Sequence, residues 1–166
     1  MLKKYLLVGL GGFLGAIARY ELGGIFKVGS GYFPAGTFFI NLTGSFVLGL
    51  FFTLISEKYV VPVEVRLFFG TGFVGAYTTF SSFTNETVTL FRQGFGAVGL
   101  VYAVASLAGG LLCVWLGLLV ARRVAFGSFF LDSEMARRLK LQEHSSLPHT
   151  GSLPIEERNE LDLDLD

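Results

Sequence analysis

Apolar positions along this chain fall in long runs, not at the alternating or three-to-four-residue intervals of a half-buried strand or surface helix. Four runs, over residues 5–26, 34–56, 66–91 and 97–121, each reach the roughly 20 residues needed to cross a hydrocarbon core. Lys3 and Lys4 ahead of the first run would suit a signal peptide. Arg19 interrupts that run, however, and three more follow, so it reads as a retained helix. The pattern predicts an all-α integral membrane protein with four transmembrane helices in one domain, residues 1–123. Residues 124–166 form a polar, acidic C-terminal extension. A short amphipathic helix capped by Asp132 or Ser133 and running to about Glu143 is expected there, followed by disorder up to the closing Leu-Asp-Leu-Asp-Leu-Asp.

The third run is unlike a lipid-facing helix at its centre. Gly70, Gly72 and Gly75 lead into Thr78-Thr79, and Phe80-Ser81-Ser82-Phe83-Thr84 follows. Glycine and hydroxyl residues give the backbone alternatives to helix, yet in lipid the released groups find no water. An unwinding between Gly75 and Thr79 leaves two half-helices. The first ends in free carbonyls with partial negative charge, and the second begins with free N–H groups and partial positive charge. Carbonyls at membrane depth are ligands for a hard cation, while N–H groups and hydroxyls suit an anion. Phe80 and Phe83, three apart, project from one face of the second half, and their electropositive ring edges add weak attraction for an anion. A kinked, continuous helix is the plain alternative, and the density of small and polar residues favours the break over it.

Polar residues in the other runs are sparse. The second opens at Pro34, suited to a first helical turn, and Thr37, Asn41 and Ser45 then share a face at four-residue spacing. A hydroxyl can bond to its own helix, but the Asn41 amide needs either another helix or a ligand as partner. Tyr102, Ser106, Gly109, Gly110 and Cys113 form a stripe on the fourth run. Gly11/Gly15 and Gly12/Ala16 on the first are small-residue pairs that suit close helix packing. Arg19, beside Tyr20 and Glu21 near one end, has to snorkel, pair or serve the mouth of an ion path.

The formal net charge of zero conceals a split: nine Lys/Arg against four Asp/Glu in residues 1–123, and four against nine in residues 124–166. Four crossings place both termini and Lys58 on one side. Lys3, Lys4, Lys58, Arg66, Arg122 and Arg123 lie there, against Lys27 and Arg92 opposite, which favours cytoplasmic termini. Glu21, Glu57, Glu64 and Glu86 all fall toward span ends, leaving no central carboxylate for proton coupling. Nucleotide-binding Gly-Lys-Ser/Thr, HExxH and GxSxG motifs are absent, and the Ser/Thr hydroxyls have no neighbouring His or Lys to activate them. His144 and His149 sit in the tail without a ligand cluster, and Cys113, alone in the chain, has no partner for an intrachain disulfide. An enzyme is therefore not expected, and neither is nucleic-acid binding. The remaining chemistry is a polar, nearly uncharged passage of amide, hydroxyl and aromatic groups, fit for a small anion.

Gly12-x-x-Gly15-Ala16-x-x-Arg19-Tyr20, Pro34-x-Gly36-Thr37-x-x-x-Asn41-x-x-Gly44 and Gly75-x-x-Thr78-Thr79-Phe80-Ser81-Ser82-Phe83 together resemble the Fluc/CrcB fluoride channels, in order and across all four runs. The resemblance implies an antiparallel, dual-topology homodimer in the cell (inner) membrane, with a broken third helix in each subunit and two fluoride paths along the interface. It also implies a structural sodium ion on the two-fold axis, held by the carbonyls of Gly75 and Thr78 from both copies. By the same resemblance Asn41 lines the fluoride pathway, Phe80 and Phe83 touch the anion, and Thr79, Ser82, Tyr102 and Ser106 fall along a polar track, with Arg19 supplying charge at the pore mouth. Two positions depart from the family pattern: Ala76 stands where glycine is usual, and Ser82 where threonine is usual. The implied function is passive export of fluoride that protects a microbial cytoplasm. A small multidrug-type transporter, also four-span and dimeric, would need a carboxylate in the first run. A scaffold protein would explain the packing glycines but not the polar centre of the third run.

Overall fold

In the computed structural model the described residues are 1–25 and 33–146. Those described residues are helical, without strands: α1 (Leu2–Ile25), α2 (Ala35–Glu57), a three-residue turn α3 (Val63–Val65), a π-helical segment (Arg66–Val74), α4 (Gly75–Tyr77), α5 (Phe80–Arg92) and α6 (Gly96–Ser146). Three helices are long and apolar enough to cross a membrane, namely α1, α2 and the Gly96–Ala125 part of α6. The third apolar run is not one helix, because it is divided among the π segment, α4 and α5.

The chain divides into two compact units, Met1–Ala125 and Phe126–Asp166. In the second unit the backbone is already helical at Phe126, so the expected separate start at Asp132 or Ser133 does not occur, and helix continues to Ser146. The stretch expected to be disordered, with His149, lies outside the described residues.

Glycines decide how the first unit packs. A methyl group on Gly11 would overlap the carbonyl oxygen of Phe68, one on Gly15 the carbonyl oxygen of Phe73, and one on Gly72 would lie 2.7 Å from the Val8 oxygen. The backbones of α1 and the π segment thus touch directly, a closeness only small residues allow in a membrane helix pair. Gly49 and Gly117 play the same part between α2 and α6, where a methyl on Gly117 would meet the Phe46 oxygen and, at 2.8 Å, the Leu50 nitrogen. Ion pairs tie the polar end of this unit: Arg122 to Glu57 at 2.9 Å, and more loosely Lys3 to Glu64 at 3.9 Å. At the opposite end Gly94, with φ +85°, turns the chain from α5 into α6. There the Phe95 N–H donates to the Leu90 carbonyl at 2.9 Å and the Gly94 N–H to the Phe91 carbonyl at 3.2 Å, closing the last turn of α5.

The π segment was not anticipated. Its i→i−5 bonding is visible at its end, where the Gly75 N–H donates to the Gly70 carbonyl. Wide turns of this kind commonly mark functional positions inside helices. Here the segment runs directly into the interruption described next.

Candidate functional site

Helix stops at Tyr77. Thr78 (φ −76°, ψ 157°) and Thr79 (φ −148°, ψ 115°) are extended, and helix resumes at Phe80. Thr79 is almost fully buried, so its backbone groups need partners within the protein. Asn41 on α2 supplies both. The Thr79 N–H donates to Asn41 Oδ1 at 2.8 Å, and Asn41 Nδ2 donates to the Thr79 carbonyl at 3.0 Å. The amide thus meets the protein's own backbone at the break, and a second N–H remains on Nδ2.

Thr79 also starts α5. Its Oγ1 accepts from the Ser82 N–H at 3.1 Å, an N-cap bond, and donates to Ser82 Oγ at 3.1 Å. These two diversions release the carbonyls before the break. In a continuous helix the Thr79 N–H would serve the Gly75 carbonyl, and the Ser82 N–H would serve that of Thr78. One is given to Asn41 and the other to a side chain. Gly75 lies exposed on the surface of the chain and Thr78 is half-buried. Gly44 on α2 makes the room, since a methyl there would overlap Thr78 Cγ2.

A groove of about 370 Å³ opens beside the break, lined by Asn41, Thr78, Thr79, Phe80, Phe83 and Ser106 together with Ser45 and apolar residues of α6. Ser106 Oγ is buried there without a hydrogen-bond partner among the described residues. A buried hydroxyl in that position is an unmet donor and acceptor. Phe80 is 73% exposed while Phe83 is packed inside, their ring centroids 5.6 Å apart. Six of the residues that the resemblance assigns to the ion sites therefore meet at one groove or its edge, with Ser82 joined to them through Thr79.

Tyr102 and Arg19 do not line it. Tyr102 is fully buried behind Phe83, with ring centroids 5.4 Å apart, and its hydroxyl donates to Glu86 Oε2 at 2.7 Å. The Thr37 hydroxyl donates to Glu86 Oε1 at the same distance. Glu86 falls toward a span end, yet it joins α2, α5 and α6 one to two turns inside that end. The signal available was the coincidence of Thr37, Glu86 and Tyr102 at similar depth on three runs, which a reading by single runs does not reveal. Arg19 is half-buried on α1 and forms no ion pair among the described residues.

A family model described as CrcB-like protein, Camphor Resistance (CrcB), matches residues 6–118, more than half of the chain and all of the helices that build the break. The chain belongs to the CrcB-like family. Similar proteins include one named fluoride-specific ion channel FluC 2 from Moorella thermoacetica, 48% identical over 118 residues, covering 70% of this chain and 95% of that protein. A second, fluoride-specific ion channel FluC from Acidobacterium capsulatum, is 46% identical over 73% of this chain and 98% of its own length. The fluoride-specific ion channel FluC from Methanocaldococcus jannaschii is 44% identical over 73% of this chain and 96% of its own length. CrcB-like proteins of this kind are ion channels and not enzymes, in keeping with the missing nucleophile–base pair. The chain is an all-α membrane protein.

Proposed function

We propose that this CrcB-like chain is a fluoride channel, and that it works as an antiparallel homodimer of four-span subunits in the cell inner membrane, releasing fluoride passively down its gradient. The observation that carries the reading is the interruption at Thr78–Thr79 with its adjoining groove. Extended backbone within an apolar helix is tolerated at membrane depth only against protein or a polar cavity. On this chain the break reaches the surface at Gly75 and beside the exposed ring of Phe80, so a second copy is the cover that fits. Antiparallel pairing would bring two such surfaces together about a two-fold axis.

Along the groove the donors are hydroxyls and amide N–H groups: Ser106, the second Nδ2 hydrogen of Asn41 and the Thr79–Ser82 pair. They are strong enough to replace part of the hydration of a small anion and weak enough to let it leave. Phe80 and Phe83 supply ring edges rather than fixed charges. Glu86 holds the Thr37 and Tyr102 hydroxyls beyond Phe83, so those donors face a carboxylate already present. An anion would have to compete with it for them. The released carbonyls of Gly75 and Thr78 suit a sodium ion, whose bound charge would steady the axis and offset the negative ends of α4. Arg19 would raise the local concentration of anions near its end of α1.

Reconstitution into liposomes loaded with fluoride, read by a fluoride electrode, tests this function. Fluoride efflux that follows the membrane potential, ignores an imposed pH gradient and greatly exceeds chloride efflux is expected. Efflux that requires a proton gradient, or no efflux from well-incorporated protein, would refute it.

A further inference from the structure

Tyr77, the last helical residue before the break, is held in a way that the ion path does not use. Its hydroxyl lies 2.8 Å from Thr43 Oγ1 on α2. The Thr43 hydroxyl hydrogen is already directed to its own helix, toward the carbonyls of Phe39 at 2.7 Å and Ile40 at 3.1 Å. A hydroxyl has one hydrogen, so Tyr77 is the donor of the pair. The Tyr77 ring lies parallel to that of Phe73, 6.2 Å between centroids and 4° between planes. Phe73 stacks on Phe69 at 5.7 Å, and Phe69 leans on Phe51 of α2 at 4.7 Å. The column thus begins and ends on α2. One end is a ring contact and the other a hydrogen bond, with Tyr77 between the two carbonyl residues Gly75 and Thr78. Neither Tyr77 nor Thr43 lines the groove.

We infer that Tyr77 is a positioning residue: its hydrogen bond to Thr43, backed by the aromatic column, sets the backbone of the break and so the direction of the Gly75 and Thr78 carbonyls. Thr43 is exposed and Tyr77 half-buried on this chain, so in a bilayer the Tyr77 hydroxyl relies on Thr43 Oγ1 as its acceptor. Separating them leaves a donor without water to receive it. The pair therefore resists the small rotation of α4 that would carry Thr78 back toward helical geometry. Asn41 holds the break from its far side through Thr79. Tyr77 holds the near side through Thr43, so both holds on the break come from α2.

The test compares the full-length parent, Tyr77→Phe, Thr43→Val and the double variant in the same lipid. Amide hydrogen exchange over residues 75–82, dimer fraction by chemical cross-linking, and the sodium concentration that half-saturates fluoride efflux are measured for each. Each single change should speed exchange at the break by about three- to tenfold, the range expected from one lost hydrogen bond. Exchange in α1 and the dimer fraction should stay as in the parent. The sodium requirement should rise by a similar factor, and the double variant should go no further than either single, because one bond is lost in all three. Unchanged exchange at the break, additive singles, or faster exchange throughout the chain would overturn the inference. The sodium arm rests on the proposed axial ion, and the exchange arm does not. A parent indifferent to sodium, with exchange at the break still accelerated in both singles, would remove the ion while supporting Tyr77 as an anchor.

Discussion

Asn41 gives both faces of its amide to a single neighbour, and that fixes what its removal should do. Asn41→Ala leaves the Thr79 N–H and carbonyl unmatched in a buried site, a cost of about 1–3 kcal/mol. Fluoride efflux should fall by about fivefold or more, since 1.4 kcal/mol is a factor of ten, while cross-linked dimer remains. Efflux equal to the parent's would take Asn41 out of the pathway. Phe80→Ile retains bulk but removes the electropositive ring edge, and a fluoride electrode should report slower efflux. Normal conduction would show that ring polarity at Phe80 is irrelevant. At this scale the sequence was informative about residue type and less so about pairing. A buried amide plainly needed a partner, but that the partner is the backbone of Thr79 depends on how α2 meets the break. The partners of Glu86 are hidden for the same reason, because its hydroxyl donors come from two other helices.

Helices and their interruption follow from local chemistry more closely than side-chain pairing does. The break was legible because glycine and threonine weaken helix in the middle of a run that lipid would otherwise keep helical. Its position, Thr78–Thr79, falls at the C-terminal edge of the stretch expected. The π-helical turns before it were not legible, since i→i−5 bonding has no residue signature that separates it from ordinary helix in a glycine-rich segment. Nor does spacing distinguish the two small-residue pairs of α1. Gly11 and Gly15 press on the π-segment backbone, whereas a methyl on Gly12 would find its nearest atom, Ala76 Cβ, at 3.8 Å. Gly11→Ala should therefore destabilise the protein by about 1–3 kcal/mol through forced separation of backbones. Gly12→Ala should stay within about 0.5 kcal/mol of the parent. Unfolding in graded detergent denaturant, followed by helical circular dichroism, would check the contrast, and equal losses at both positions would contradict it.

For the whole molecule the matter is assembly. One chain presents a groove open on one side, an exposed Phe80 and carbonyls at the surface of the break, and these gain meaning when a second copy covers them. The uneven loop charges, six Lys/Arg on one side against two on the other, argue for a single orientation, whereas an antiparallel dimer requires both. Tags at each terminus, probed from either side of the membrane, should report both orientations in comparable amounts. A single orientation in an active homodimer would refute the antiparallel arrangement. Charge counting alone would not have suggested that arrangement, which rests on the family resemblance. The measurement closest to the core of the proposal is an electron-density map from crystals grown in lipid with sodium and fluoride. It should trace extended backbone at Thr78 and Thr79, with Asn41 bonded to Thr79 and ion density facing the Gly75 and Thr78 carbonyls of two opposed copies. Unbroken helical hydrogen bonding from Ala76 through Phe80, without ion density beside it, would contradict the reading of this chain as a channel built around a broken helix.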